Sequence, residues 1–295
     1  MRSISIIGVG RMGGALALAL HSAGFRIVQL IHRSSAIAGR IGPVVQAEVV
    51  PAGQLDLLER ADVFIVSTAD DDLELSASWL SRSLQPASVV LHTSGARGSE
   101  VFSLLAAIGH ETGSMHPLIS ISEPFAGKDS FRRSYFCLEG TAPAVEAARS
   151  IVEALEGLPF NIDTRMKPLY HAAAVMACGH LTALLDISRE LNRTAGISED
   201  LALRILLPLV ESTLENIKRS GTAKALTGSF ARGDIDTIKS HLEMIDATGL
   251  EDAFQAYISL GKRSLQLAGE SGLPPKVETD IQELLHNAAN DDVVE

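Results

Sequence analysis

The segment SISIIGVGRMGGALALAL, residues 3–20, decides the fold of this chain. It begins with an isoleucine-rich run typical of a buried strand and ends with an alanine–leucine pattern typical of a helix. Between the two, Gly8, Gly10 and Gly13 form a GxGxxG motif. In a dinucleotide-binding turn the first glycine permits the sharp turn, the second lets backbone N–H groups approach a pyrophosphate, and the third lets helix and strand pack closely. We therefore predict nucleotide binding, rather than a merely tight turn between strand and helix.

The residues between the last two glycines complete the predicted phosphate site. Arg11 and Met12 lie where the predicted helix starts, so their backbone N–H groups are expected at its positive end, where a pyrophosphate is stabilised. No Asp or Glu precedes Glu48, whereas five arginines fall in the same span. The nucleotide-facing segment is therefore cationic, which suits an anionic ligand.

The composition of the whole chain bounds its class. A length of 295 residues predicts two domains, and the net charge of −11 argues against a nucleic-acid partner. Two cysteines without CxxC spacing argue against disulfides and a zinc finger, so we expect a cytoplasmic protein. The longest apolar stretch, residues 172–185, is predicted to be too short and too polar at its ends to span a membrane.

Strand-like and helix-like segments alternate through residue 163. The strand-like runs are residues 3–8, 26–32, 63–68, 88–92, 135–139 and 159–163. The helical patterns between them are residues 12–23, 35–40, 73–83, 100–107 and 142–156. This alternation predicts an α/β fold with a doubly wound parallel Rossmann sheet, whose ligands bind at the carboxyl ends of the strands.

The rest of the chain is typical of helices alone. We predict a dinucleotide-binding Rossmann domain over residues 1–164 and an all-helical C-terminal domain, for substrate binding and dimerisation, over residues 165–295. The first helix, residues 168–194, is apolar on most sides and must be buried in its own domain or against a second subunit. We expect a homodimer formed through the helical domain.

The end of the second strand distinguishes nicotinamide cofactors. An acidic residue there holds the ribose 2′-OH of NAD, whereas an arginine accepts the 2′-phosphate of NADP. This chain has His32, Arg33, Ser34 and Ser35 at that place, without an acid nearby. Because Arg33 can fork onto the phosphate and both serines can donate to it, we predict NADP. The alternatives are a solvated Arg33 without this role and, ranked low, FAD.

Another strand end contributes Thr68 and Ala69 to the predicted cofactor site. Three aspartates follow, and we interpret them as helix caps, through Asp70 or Asp71, rather than as a metal site.

Two later segments carry hydroxyl and imidazole groups. Thr93 and Ser94 follow the strand at residues 88–92, where their hydroxyls can contact the nicotinamide amide or a substrate oxygen. His116 is predicted to orient the substrate as an acid or ligand; the alternative is a hydrogen-bonded structural histidine. The spacing of His116 from His92 and His171 gives no support to a shared metal site.

Lys167 and His171 form the most suggestive pair, because four residues along a helix place both on one face. Reduction of a carbonyl or imine needs a proton donor beside the hydride acceptor, and either residue can supply it. The alternative is a surface lysine and a satisfied core histidine.

A glycine-flanked turn at residues 226–234 has two interpretations. Arg232 is available there for a substrate carboxylate, or Asp234 caps the following helix and the segment is structural.

These segments together resemble the 6-phosphogluconate dehydrogenase-like superfamily. Within it the chain is similar to a bacterial group of Rossmann-like proteins with a C-terminal domain of unknown function. The matching motifs are GVGRMG (8–13), HTSG (92–95), HPL (116–118), YHAAA (170–174), LTG (226–228) and RGD (232–234). Pyrroline-5-carboxylate reductase and the deazaflavin-dependent NADP oxidoreductases are similar in layout only.

The resemblance implies the fold and the cofactor, and it supplies no reaction. Related 3-hydroxyacid dehydrogenases carry a catalytic lysine followed four residues later by asparagine; His171 replaces that asparagine here. Gly179 stands where the group has an asparagine, and Ser229 where a proline usually follows Thr-Gly.

The sequence therefore favours an NADP-dependent oxidoreductase acting on a small carbonyl, imine or hydroxy acid, with no nucleic-acid or membrane partner. Lys167 or His171 is the predicted proton donor, and Ser94 and His116 orient the substrate. The alternative class is a sensor or regulatory protein that binds NADP(H) without turnover and acts through a partner.

Overall fold

The computed structural model describes residues 2–33, 35–54, 57–84, 87–125 and 128–291. The chain divides into two compact units, Met1–Cys178 and Gly179–Glu295. The predicted boundary at residue 164 marks where the strands end and the helices take over. As a domain boundary it stays a prediction.

The first unit contains one sheet of eight strands. These are β1 (Ser3–Ile7), β2 (Arg26–His32), β3 (Glu48–Pro51), β4 (Val63–Val66), β5 (Val89–His92), β6 (Glu111–Pro117), β7 (Tyr135–Gly140) and β8 (Leu158–Asn161). Their order is β3-β2-β1-β4-β5-β6-β7-β8, and all neighbours are parallel except β6 and β7. The strand order reverses between β1 and β4, which is where ligands of doubly wound sheets bind.

Five helices cover the two faces of this sheet. They are α1 (Arg11–Ser22), α2 (Ser35–Val45), α3 (Leu73–Leu80), α4 (Ser103–Ala107) and α5 (Ala142–Ala154). Alternate side chains of β1 and β4 pack into opposite cores: Ile6 and Ile65 with α1, α2 and α5, and Ile7 and Phe64 with α3 and α4. Strands buried on both faces are typical of parallel sheets, and the predicted fold class is confirmed.

Two strands, β3 and β6, and the antiparallel direction of β7 were not predicted from the sequence. β3 is a four-residue edge strand, and β6 carries Thr112, Ser114 and His116 at alternate positions, so both read as loops. β7 runs antiparallel to β6, and the described part of the connection between them contains a 3₁₀ turn at Lys128–Phe131 and no crossover helix, which a parallel pairing would need.

The second unit is built from helices around one apolar core. Helix α6 (Lys167–Thr194) runs into it from the first unit and is followed by α7 (Glu199–Ala202), α8 (Leu207–Ala225), α9 (Ser229–Arg232), α10 (Ile235–Asp246), α11 (Glu251–Glu270) and α12 (Pro275–Asp291). The core is formed by α10, α11 and α12, with Leu242, Phe254, Ile258 and Ile281 buried.

The segment at residues 226–234 contains a helical turn between two glycines with positive φ, Gly228 and Gly233. Asp234 caps α10, since its carboxylate accepts from the Thr237 N–H at 3.2 Å and the Thr237 hydroxyl at 2.8 Å. The predicted cap formed by Asp234 is confirmed, and the role of Arg232 toward a substrate carboxylate stays a prediction. Arg232 is exposed and lies 3.8 Å from the same carboxylate.

Helix α6 differs from expectation in its length and exposure. The continuous stretch Thr164–Thr194 is, among the described residues, the one helix long and apolar enough to cross a membrane by length and composition. Our expectation considered only residues 172–185, and the helix continues on both sides. One such helix is weak evidence, because core helices pass the same test. Within a single chain only Lys167 of this helix is buried.

Candidate functional site

The glycine turn joins β1 to α1 and is open at its second glycine. Gly8 has a φ of +89°, and a Cβ there would lie 2.6 Å from the carbonyl of Ser67, the residue after β4. A Cβ on Gly13 would overlap the carbonyl oxygen of Gly8, whereas one on Gly10 meets no described atom within 4 Å. The first and third glycines are therefore required by packing, and the second leaves room for a ligand.

The start of α1 offers unpaired donors beside this opening. Gly10 is the N-cap, no side chain caps the helix, and the first turn, from Arg11 and Met12 onward, contains no acid. Next to it, the Thr68 hydroxyl is buried without a hydrogen-bond partner in the described part of the chain. Free N–H groups at a positive helix end and an unpaired hydroxyl fit the phosphates of the predicted cofactor.

Two residues predicted to contact the cofactor, His32 and Thr93, form hydrogen bonds with other protein groups. The Val9 N–H donates to His32 Nδ1 at 3.2 Å, and burial, with Arg33 adding to it, lowers the pKa of His32. The Thr93 hydroxyl donates to Ser67 Oγ at 3.1 Å. Each bond stabilises a loop of the site.

Arg33 has a carboxylate partner that the sequence did not reveal. Its Nη2 lies 2.7 Å from Asp72 Oδ2, and the two residues are 39 positions apart. The expectation of no acid near Arg33 is therefore wrong, because the acid comes from the segment between β4 and α3 rather than from the end of β2. Ser34 lies outside the described residues, as does the side chain of Ser35.

The three consecutive aspartates form a single 3₁₀ turn, Asp70–Asp72, before α3. Ala69 is the N-cap of that turn, and neither the turn nor α3 has a side-chain capping bond. The prediction that Asp70 or Asp71 caps a helix is wrong, because both lie inside the turn. In the described ranges no three His, Cys, Asp or Glu side chains are grouped to hold a metal.

Lys167 is fully buried at the start of α6. Its Nζ donates to Ser94 O at 2.9 Å and to Ser114 Oγ at 2.5 Å, and lies 3.4 Å from Glu139 Oε1. An ammonium group has three donors, and these contacts use all of them. Burial lowers the pKa of Lys167, and the charge of Glu139 opposes that shift.

Glu139 is equally buried and fully paired. It accepts from the Ser99 N–H at 2.9 Å, the Ser99 hydroxyl at 2.7 Å and the Thr164 hydroxyl at 2.9 Å. The antiparallel register of β6 and β7 sets Glu139 opposite Ser114. Lysine and glutamate therefore form a satisfied buried ion pair between α6 and the sheet.

A second polar cluster surrounds Gly95, which follows β5. His116 Nδ1 lies 2.9 Å from the Tyr170 hydroxyl, and the His116 and His171 ring centroids are 5.8 Å apart. A Cβ on Gly95 would lie 2.7 Å from His116 Nε2 and closer still to His171 Nδ1. One nitrogen of each imidazole thus lies against the backbone of Gly95, and His171 Nδ1 has no partner within the described ranges.

Two segments of the chain match known protein families. Residues 1–117 match the Rossmann-like domain, and residues 134–264 match DUF2520, a domain of unknown function. The chain pairs a Rossmann-like domain with a DUF2520 domain. The resemblance to Rossmann-like proteins with a C-terminal domain of unknown function is confirmed. No curated protein matches this Rossmann–DUF2520 chain.

Solved structures of the same fold cover nearly the whole Rossmann–DUF2520 chain. A Bacteroides fragilis protein provisionally assigned as an NADP oxidoreductase is 23% identical with a TM-score of 0.74, over 89% of this chain and 97% of its own. Protein TM1727 from Thermotoga maritima is 24% identical with a TM-score of 0.71, over 91% and 99%. A reductive aminase from Aspergillus terreus, solved with NADPH and ethyl-5-oxohexanoate, is 18% identical with a TM-score of 0.57, over 99% and 94%.

The four predicted catalytic residues come together from both matched segments of the Rossmann–DUF2520 chain. Ser94 and His116 belong to the Rossmann-like match, and Lys167 and His171 to the DUF2520 match. Ser94 forms hydrogen bonds within the protein: its carbonyl accepts from Lys167, and its hydroxyl accepts from the Arg97 N–H at 3.0 Å. Of the imidazoles of His116 and His171, that of His171 keeps Nδ1 without a partner among the described residues.

Sequence reasoning missed two members of this site. Tyr170 lies three residues after Lys167 and one before His171, so helical spacing could have found it. Glu139 had no such signal, because its place beside Ser114 depends on the antiparallel pairing of β7.

The stability of this Rossmann–DUF2520 chain is expected to fall in mild acid. Burial lowers the pKa of His116 to about 4 and that of His92 to about 3, from 6.5, and Lys167 adds to both shifts. Below pH 6.5 the unfolded chain therefore binds protons that the folded chain does not, so the contribution is complete above pH 6.5 and is lost towards pH 4. Each histidine contributes a slope of up to about 1.4 kcal/mol per pH unit. Urea unfolding measured between pH 7 and pH 4.5 checks this, and His116→Gln should flatten the slope. An unfolding free energy that stays constant over this range would contradict the assignment.

Proposed function

We propose that this chain is an NADP-dependent oxidoreductase that transfers a hydride to or from a small carbonyl, imine or hydroxy acid. One observation carries the proposal. The open glycine turn after β1, the unpaired Thr68 hydroxyl after β4 and the imidazoles of His116 and His171 around Gly95 all belong to the carboxyl-end edge of the sheet. This edge of the sheet can therefore bind a nucleotide and also provides groups for proton transfer.

NADPH, when bound, supplies the hydride. The N–H groups at the start of α1 hold the pyrophosphate, Thr68 donates to the nucleotide, and Arg33 binds the 2′-phosphate. Thr93 and His32 fix the loops that shape this site through their bonds to Ser67 and Val9.

His171 is the proposed proton donor to the reduced substrate. His171 is a better candidate for this role than Lys167, because the three donors of the Lys167 ammonium group are engaged by buried protein groups. The Tyr170 hydroxyl, whose pKa burial raises, stays protonated and shares a hydrogen bond with the neutral imidazole of His116. This pair orients the substrate oxygen or nitrogen beside His171.

Neighbours of the same fold support the reaction class. They include an imine reductase from a Pseudomonas species and the reductive aminase solved with NADPH. Testing requires the purified full chain, NADPH or NADH, and a panel of small cyclic imines, ketones and 2- and 3-hydroxy acids, with nucleotide absorbance as the readout. Oxidation of NADPH with one substrate class is expected. If NADPH binds but no compound in the panel is turned over in either direction, the sensor alternative is favoured.

A homodimer through the helical part of the chain is proposed as well, in the cytoplasm. Several large apolar side chains of α6 and α8 are exposed in the single chain, among them Leu169, Met176 and Leu209 at 65%, 67% and 63%. Helices this apolar are stable in water only when covered, and a second copy covers them symmetrically.

Met176→Arg is therefore expected to convert the dimer to a monomer, because it places a charge in the apolar interface. Light scattering after size-exclusion chromatography measures this. Met244→Arg is the matched control: Met244 is 65% exposed on α10 and lies outside the proposed interface. A wild-type monomer, or equal loss of the dimer in both variants, would count against the proposal.

A further inference from the structure

The ion pair between Arg33 and Asp72 borders a cavity at the switch point of the sheet. The cavity has a volume of about 320 Å³, and apolar side chains of β1 and α3 line it, namely Ile7, Leu75 and Trp79. The buried indole N–H of Trp79 has no hydrogen-bond partner in the described part of the chain. An apolar slot with an aromatic wall and a charged rim suits a purine ring with its ribose at the rim.

The two side chains of the ion pair differ in their exposure to solvent. The Asp72 side chain is 25% exposed, whereas that of Arg33 is 76% exposed. Asp72 is therefore held by its surroundings, and the guanidinium reaches to it through Nη2. A phosphate that binds arginine by two parallel N–H bonds needs two nitrogens of the fork, and Asp72 already occupies one of them.

We propose that Asp72 determines the coenzyme preference of this chain by competing with the 2′-phosphate for Arg33. This rests on the proposed nucleotide site and adds a residue to it. The carboxylate takes Nη2 and places a negative charge beside an incoming phosphate dianion. With NADH in the site, the same carboxylate accepts from the ribose 2′-OH. The chain therefore binds both coenzymes, and Asp72 restrains its preference for NADPH.

Direct binding of the two reduced nucleotides to the full chain tests this without a substrate. The dissociation constants of NADPH and NADH are measured by nucleotide fluorescence for wild type, Asp72→Asn, Arg33→Ala and Asp71→Asn. The last variant is the matched control, since it removes the same charge one residue away from the pair. Asp72→Asn is expected to raise the ratio of the NADH to the NADPH dissociation constant by roughly tenfold, mainly through tighter NADPH binding. Arg33→Ala lowers this ratio by a similar factor, and Asp71→Asn changes it by less than about twofold.

Each other outcome has a distinct meaning. If Asp72→Asn weakens NADPH as Arg33→Ala does, Asp72 supports Arg33 rather than competing for it, and the proposal is overturned. It is overturned equally if Asp72→Asn and Asp71→Asn have the same effect. If the unaltered chain binds neither nucleotide, the proposed function itself fails and this inference with it.

Discussion

Replacing Lys167 by methionine is expected to lower the free energy of unfolding by about 3–5 kcal/mol. The substitution keeps most of the side-chain volume, so the loss comes from the missing charge rather than from a cavity. Glu139, 3% exposed in its side chain, keeps its bonds to Ser99 and Thr164 and is left as an uncompensated buried charge. Chemical denaturation followed by circular dichroism measures the change.

Two control variants test whether the loss of stability comes from the burial of the ion pair rather than from the short distance between its charges. Adding Glu139→Gln to Lys167→Met removes the orphaned charge and should recover part of the lost stability. Arg97→Ala breaks a shorter ion pair, 2.7 Å from Glu74, but both of its side chains are exposed, so it should cost less than about 1 kcal/mol. Equal costs for Lys167→Met and Arg97→Ala would contradict a structural role of the buried pair.

Replacing His171 by alanine is expected to lower kcat for NADPH-dependent reduction by about 100-fold to 10,000-fold, with the dissociation constant of NADPH changed by less than about twofold. The imidazole is the proposed source of the proton at the reacting atom, and the nucleotide is held elsewhere, by the glycine turn. His116→Ala and Tyr170→Phe, which alter orientation, should have smaller effects on kcat and should raise KM.

His180→Ala is the matched control for His171→Ala. It removes another imidazole from the same helix at an exposed position, and full activity is expected. Steady-state kinetics of all four variants on the substrate found in the panel decide the matter. If His171→Ala retains wild-type kcat, His171 is not the proton donor.

The parts of the fold that could be predicted are those with local signals. The run before Gly8 and the glycine spacing fixed β1, the turn and α1, and alternating apolar segments indicated the doubly wound sheet. β6 was missed because its alternate residues are polar and its neighbour approaches from the opposite direction. Strand pairing of this kind is a property of distant segments and has no local signal.

The candidate site divides along the same line. Lys167, His171 and His116 were predicted from their residue types and, for the first two, from their helical spacing, and as site residues they stay predictions. In the structure the His116 and His171 rings lie 5.8 Å apart, and Lys167 Nζ donates to the carbonyl of Ser94. The contact of Asp72 with Arg33 was not predicted, since it spans 39 positions and depends on how β2 and β4 flank β1. The buried ion pair between Lys167 and Glu139 was likewise not predicted, because no rule of sequence spacing brings these two residues together.

Gly10→Asp tests whether a dinucleotide binds at the glycine turn. Gly10 has a φ of −89°, and a Cβ there meets no described atom within 4 Å, so the fold should tolerate the change. The new carboxylate would occupy the place of the pyrophosphate at the start of α1. Gly39→Asp makes the same substitution at an exposed position of α2 with equally open surroundings.

Calorimetric titration of NADPH into wild type, Gly10→Asp and Gly39→Asp, each with its melting temperature recorded, is the decisive measurement. We expect one NADPH per chain for wild type and Gly39→Asp, and a loss of at least about 100-fold in affinity for a Gly10→Asp chain that melts within a few degrees of wild type. Undiminished NADPH binding by a folded Gly10→Asp chain, or no binding by wild type, would contradict dinucleotide binding at the glycine turn.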